Sequence, residues 1–192
     1  MRPQTLLLDL EGTIYTRDGL IEGALGALER VRADRHEVRF LTNTDSQAST
    51  SIFAGLLDRG LVVQPTEVFS PIVAARLFLA AAPDSVVLAL TTEEVKAELQ
   101  RGARLSGADG ARVTHVVVGD VRDSLSYGLL DAAFQALQSG AELVALQKGR
   151  YFLSGRSSHL DTGAIVAALE YASGREAFVV GKPSASFVWP LP

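Results

Sequence analysis

Short apolar runs alternate with amphipathic stretches along the whole chain, the rhythm of an α/β fold. Thr5 to Leu10 is an apolar run that closes on Asp9, Glu11 and Gly12, the pattern of a buried parallel strand opening into a loop at its carboxyl end. Ala24, Leu25, Leu28 and Val31 recur at helical spacing and lead to a second strand, Val38-Arg39-Phe40-Leu41, which stops at Thr42-Asn43-Thr44-Asp45. Ile52, Phe53, Leu56 and Leu57 predict an amphipathic helix closed by Gly60, followed by Val68-Phe69 and a helix from Pro71 to about Ala82.

A second rhythm starts at Ser85. It predicts strands over Val86 to Leu90, Thr114 to Val118 and Glu142 to Leu146, with helices over Thr92 to Arg101 and Tyr127 to Ser139. Asp161-Thr162-Gly163 then caps a helix through Val166, Leu169 and Tyr171 to Gly174, and a last strand, Ala177 to Val180, leads to Gly181-Lys182-Pro183. The expected organisation is a Rossmann-like parallel-sheet core over 1–82, an inserted α/β cap domain over 83–160, and a return to the core over 161–192. The glycines between Arg101 and Arg112 mark the one stretch expected to be flexible.

Composition narrows the function. The 192 residues are 47% apolar, ample for a packed interior, and the formal charge of −4 is scattered, which gives no footprint for nucleic acid or an anionic membrane. The absence of cysteine excludes disulfides, zinc thiolate sites and a cysteine nucleophile, and fits a reducing compartment. Leu6-Leu7-Leu8 is too short for a signal peptide or a membrane span, so the cytoplasm is the expected location. Lysine is scarce, with only Lys96, Lys148 and Lys182.

Chemistry concentrates at the predicted strand ends. Asp9 and Glu11 place two carboxylates at the mouth of a sheet, where one can act as a phosphoryl nucleophile and the other as general acid and base. Gly12 permits a sharp turn that would aim backbone N–H groups at a phosphate. At the second strand end, Thr42 and Asn43 offer uncharged phosphate donors, although Thr, Asn, Asp and Ser before a helix also serve as ordinary caps. Lys182, just past a late strand, can supply a point charge to a transferring phosphoryl group or be a surface turn lysine. Gly181-Lys182-Pro183 is no P-loop, because proline stands where Ser or Thr is required. His36, His115 and His159 lack metal-ligand spacing and read as surface or turn histidines.

The order acid-x-acid, Thr, Lys resembles the haloacid dehalogenase superfamily, in its branch with a large α/β cap. Leu129 to Leu137, Lys148-Gly149-Arg150-Tyr151-Phe152, Ala168 to Ala172 and Val179 to Pro183 look like segments of the NagD-like phosphatases and of the group containing phospholysine phosphohistidine inorganic pyrophosphate phosphatase. The resemblance implies Mg²⁺-dependent hydrolysis of a small phosphorylated metabolite. Asp9 would be the nucleophile forming an aspartyl phosphate and a magnesium ligand. Glu11 would be the acid/base, with its main-chain carbonyl on the metal, Thr42 the phosphate-binding hydroxyl and Lys182 the stabilising cation. Lys148, Arg150 and Tyr151, on a loop after a strand in the expected cap, could read the substrate or form a solvated basic turn.

Two departures accompany the likeness. Glu11 replaces the usual Asp, adding a methylene that can displace a proton donor by about 1 Å, a scale that can cost on the order of a hundredfold in rate, so slow chemistry is expected. The acidic Gly-Asp-Asp type motif that completes the family's magnesium site has no counterpart after Lys182, and Gly119-Asp120 with Asp123 only imitates it from within the cap. The expectation is a core truncated at its C-terminus, with Leu6 to Leu8 on an exposed sheet edge through which, or through the cap, copies could associate. The rival reading is a non-catalytic remnant with at most weak phosphate binding.

Overall fold

The computed structural model describes residues 3–82, 84–106 and 111–188. Part of the expected flexible stretch, 107–110, and the end of the chain, 189–192, lie outside the described residues. The chain divides into two compact units, Met1–Thr42 with Ser49–Ser70, and Asn43–Ala48 with Pro71–Pro192.

The first unit is built on a parallel three-stranded sheet. Its strands are β1 (Thr5–Asp9), β4 (Glu37–Leu41) and β5 (Val68–Phe69), in the order β1-β4-β5, with a small hairpin of β2 (Tyr15–Thr16) and β3 (Gly19–Leu20) after the first strand. Helices α1 (Ala24–Ala33) and α2 (Ser49–Asp58) bury Ala24, Leu28, Ile52 and Leu56 in one core with Leu10, Val38, Phe40 and Val68. Period-2 alternation in β4 sends Val38 and Phe40 into this core, and helical spacing gives each helix its apolar stripe. Gly60 ends α2 at φ 83°, and its N–H donates to the Leu57 carbonyl, the left-handed close that favours glycine. As the end strand of the order, β1 pairs with β4 alone in this sheet, and Leu7 is 43% exposed. Leu6 and Leu8 are half-buried, a departure from the buried strand that the apolar run predicts.

The second unit carries a parallel five-stranded sheet in the order β12-β9-β8-β6-β7. These strands are β6 (Val86–Leu90), β7 (Arg104–Leu105), β8 (His115–Val118), β9 (Glu142–Ala145) and β12 (Phe178–Val179). The central β8 is buried at every position, the continuous apolar run that a doubly covered strand requires. Helices α5 (Tyr127–Gln138) and α6 (Thr162–Ser173) pack together and bury Ala133, Leu137, Val166 and Leu169 against Val116, Val118, Leu143 and Ala145. Helices α3 (Pro71–Ala80) and α4 (Glu93–Leu99) form another packed pair, with Ile72, Leu79, Val95 and Leu99 buried. A hairpin of β10 (Tyr151–Ser154) and β11 (Ser157–Leu160) and the short α7 (Ala185–Val188) complete the unit.

The units depart from the expected divisions at 82/83 and 160/161. Helix α3 belongs with the second sheet, and so do α6 and β12, because β12 extends that sheet by pairing in parallel with β9. Residues 43–48 also pack with the second unit although their neighbours on both sides belong to the first. His115 departs too: expected at a surface or turn, it is 8% exposed in β8, its Nδ1 2.8 Å from the Thr114 hydroxyl and its ring edge-on to Phe78. Burial lowers its pKa, against the opposing pull of Glu142.

Candidate functional site

The parallel register of β1 and β4 sets Asp9 opposite Leu41, so Asp9 and the next residue of the other strand, Thr42, emerge at one carboxyl edge of the first sheet. Open α/β sheets place their chemistry at such edges. A carboxylate oxygen of Asp9 accepts the N–H of Leu10 at 2.9 Å, and the Leu10 side chain is fully buried, so the acid leaves a strand anchored in the core. The Leu10 carbonyl then accepts N–H bonds from Ile14 at 2.8 Å and Tyr15 at 3.2 Å, which closes the loop.

Gly12 takes φ 85°, the turn its identity predicts. Its own N–H donates to the Tyr15 carbonyl at 2.8 Å, and that of Thr13 to Leu10 at 3.3 Å. The expected role of Gly12 therefore shifts from offering its N–H to a phosphate to shaping the loop that carries Asp9 and Glu11. Both acids are exposed, while Thr42 is buried and held by its N–H to the Phe69 carbonyl at 3.1 Å.

Tyr15 follows the loop that carries both acids, and Arg59 contacts it, a pair the sequence does not signal. The guanidinium of Arg59 stacks 4.6 Å from the centre of the Tyr15 ring. Burial raises the Tyr15 pKa, Arg59 opposes the rise, and the carboxylates of Glu11 and Asp9 add to it. One phenol thus registers both acids. Nothing local to Arg59 signals this in the sequence, since the contact depends on the end of α2.

The other expected residues, Asn43 and Lys182, lie in the second unit. Asn43 Nδ2 donates to the Lys182 carbonyl at 3.0 Å, and Asn43 Oδ1 accepts the Lys182 N–H at 2.8 Å. Lys182 and Pro183, joined by a cis peptide, are the middle residues of a turn closed by the Ser184 N–H on the Gly181 carbonyl at 3.0 Å. A cavity of about 450 Å³ adjoins Asn43, Lys182, Ser184, Gln147 and Lys148. Lys148 donates to Glu170 at 2.7 Å, so its charge is partnered within the unit. Tyr151, expected on a loop, starts β10 and is 61% exposed, and Arg150 is exposed beside it.

Beyond Asn43 the segment is tied down by Asp45. Its carboxylate accepts the Thr162 hydroxyl at 2.5 Å, at the start of α6, where Asp161 caps the helix by accepting the Thr162 N–H. Burial pushes the Asp45 pKa up from 3.8 to about 6; the Thr162 bond opposes this, and the carboxylates of Asp161 and Asp120 reinforce it. Asp120, in the sequence imitation of an acidic motif, is instead paired with the Arg122 guanidinium, whose other face lies 4.3 Å from the centre of the Phe152 ring.

Among the described residues no group of three or more His, Asp or Glu gathers to hold a metal ion. Asp9 and Glu11, the expected magnesium ligands, supply two acids in one loop, whereas Mg²⁺ asks for a near-octahedral set of oxygens. No third acid joins them among the described residues, so water and a bound phosphate would have to complete the shell.

A sequence profile of the haloacid dehalogenase-like hydrolases matches residues 6–102, which include Asp9, Glu11 and Thr42. The chain belongs to that family. A mouse protein described as haloacid dehalogenase-like hydrolase domain-containing protein 2 is 32% identical over 184 residues, 96% of this chain and 68% of the relative. The bovine phospholysine phosphohistidine inorganic pyrophosphate phosphatase is 37% identical over 191 residues, 95% of this chain and 67% of that protein. Among solved structures, the glycerol phosphate phosphatase of Mycobacterium tuberculosis in complex with magnesium superposes with a TM-score of 0.85 at 28% identity. It covers 97% of this chain, which in turn spans 56% of that one. The expected α/β class and the phospholysine phosphatase-like affinity of this haloacid dehalogenase-like chain hold, and the likeness to a NagD protein, at 24% identity, is one of fold. No helix among the described residues is long and apolar enough to cross a membrane.

Proposed function

We propose that the chain hydrolyses phosphate monoesters or phosphoanhydrides of small metabolites through an aspartyl phosphate on Asp9. The observation that carries this reading is the register of β1 and β4, which sets Asp9 and Thr42 at one sheet edge in a chain of a hydrolase family. The named activities of the bovine and mycobacterial relatives, both phosphatases, support the substrate class.

In the first step a carboxylate oxygen of Asp9 bonds to phosphorus as the bond to the leaving oxygen breaks, and protonated Glu11 gives its proton to that oxygen. In the second, Glu11 takes a proton from water as the water oxygen attacks phosphorus. The bond between phosphorus and Asp9 then breaks, returning orthophosphate and a free carboxylate. Thr42 donates a hydroxyl hydrogen to a phosphate oxygen, and Lys182 supplies positive charge to the transferring group. Magnesium, when bound in such a reaction, neutralises charge on the transferring oxygens. Asp9 and Glu11 are the acids that would hold it, with no third acid beside them among the described residues.

The test is release of p-nitrophenol from p-nitrophenyl phosphate with Mg²⁺ supplied. Asp9→Asn removes the nucleophile and should bring release to background. Equal turnover by wild type and variant would end this reading.

A further inference from the structure

We propose that Asn43 is a positioning residue for Lys182, setting the lysine's main chain with its carboxamide rather than contacting phosphate itself. The inference rests on the reading of Lys182 as the cation facing the phosphoryl group. Its basis is a pair of hydrogen bonds between segments 139 residues apart, Asn43 Nδ2 to the Lys182 carbonyl and the Lys182 N–H to Asn43 Oδ1. A planar carboxamide carries donor and acceptor side by side, so it can bracket both main-chain polar groups of one residue as a neighbouring strand does. The orientation of the Asn43 side chain is thereby set by Lys182.

Two further features support this arrangement. Gly181 lacks a Cβ where one would press on the Leu146 carbonyl oxygen and stand 3.0 Å from Asn43 Oδ1, so the residue beside Lys182 leaves room for the carboxamide. The segment carrying Asn43 is also anchored beyond it, by the Thr162 hydroxyl on Asp45 at 2.5 Å and the Thr92 hydroxyl on the Ser46 carbonyl at 3.0 Å. Asn43 is thus held from one side while it holds Lys182 on the other. A lysine stem is long and flexible, so fixing its main chain narrows the space its ammonium explores. The dipeptide Thr42-Asn43 divides the labour: the first residue offers a hydroxyl to phosphate, and the second fixes the lysine.

Reductive ¹³C-methylation of the full chain tests this, because three lysines and the amino terminus give few resonances. Asn43→Ala should move and broaden the Lys182 signal while leaving Lys96 and Lys148 in place, and should abolish its response to added inorganic phosphate. Asn43→Asp keeps an acceptor for the Lys182 N–H and should recover part of the wild-type signal; it decides the matter alone if the alanine variant does not fold. In turnover of p-nitrophenyl phosphate, kcat of Asn43→Ala should fall roughly a hundredfold, the scale of a 1 Å misplacement, with KM changed far less. An unmoved Lys182 resonance, or a loss confined to KM, overturns the proposal. If the wild type turns over nothing, the phosphatase reading falls, and the lysine resonances still decide the role of Asn43.

Discussion

Asp45→Asn is the substitution whose effect the structure sets most sharply. Asp45 is 7% exposed, and its carboxyl holds a proton up to about pH 6 when folded, against 3.8 for the ordinary group. Each tenfold change in proton affinity is worth about 1.4 kcal/mol, so the gap between the two values corresponds to about 3 kcal/mol. Between those values the folded state binds more protons than the unfolded one, and stability falls as pH rises. The contribution is fully present below pH 3.8 and is lost as pH rises through about 6. Asparagine has the same shape, does not titrate, and its carboxamide oxygen can still accept the Thr162 hydroxyl.

At pH 7.5 the variant should therefore exceed wild type by up to about 3 kcal/mol, or about 6–12 °C in Tm for a chain of this length. At pH 4.5, still above the ordinary carboxyl value of 3.8, the gap should shrink to about 1 kcal/mol. Thermal melts of both proteins at pH 4.5, 6 and 7.5 measure this, and other titrating groups cancel because each comparison is made at one pH. A difference that is the same at all three values, or that shrinks as pH rises, would refute the burial argument.

Gly181→Ala should lower stability by about 1–3 kcal/mol, the cost of overpacking, because the new methyl meets the Leu146 carbonyl and Asn43; a thermal melt reads the loss. Ser126→Ala removes the side chain that accepts the Leu129 N–H at the start of α5 and should cost about 1 kcal/mol by urea denaturation. An unchanged midpoint would show that the cap contributes nothing.

The elements most legible in the sequence are those whose signal is local. The β1 loop announces itself through Asp9, Glu11 and Gly12, and the glycine takes the positive φ that its position predicts. The start of α6 is equally plain, because Asp161 caps it through the adjacent N–H. What periodicity does not carry is which sheet an element joins. The run Ala177 to Val180 reads as a strand in any setting, and only its pairing with β9 assigns it to the second sheet. The hairpin of β2 and β3 is too short to leave a period. The burial of His115 did have a signal, since it opens a run with three valines, and a strand buried on both faces buries its first residue as well.

The site divides along the same line. Asp9 and Thr42 can be paired from the sequence because successive parallel strands end at the same edge. Asn43 reads there as a cap or a phosphate donor, since those are the roles a residue can fill for its own neighbours. Its bonds to Lys182 join positions 139 apart and exist only once Asn43–Ala48 packs with the unit that follows. The same packing buries Asp45 against Thr162 and raises its pKa. A segment that reads as a helix cap, Asn43–Ala48, therefore holds the turn bearing Lys182 within the second unit. The pH response of Asp45 and the placement of that lysine test two anchors of this one segment.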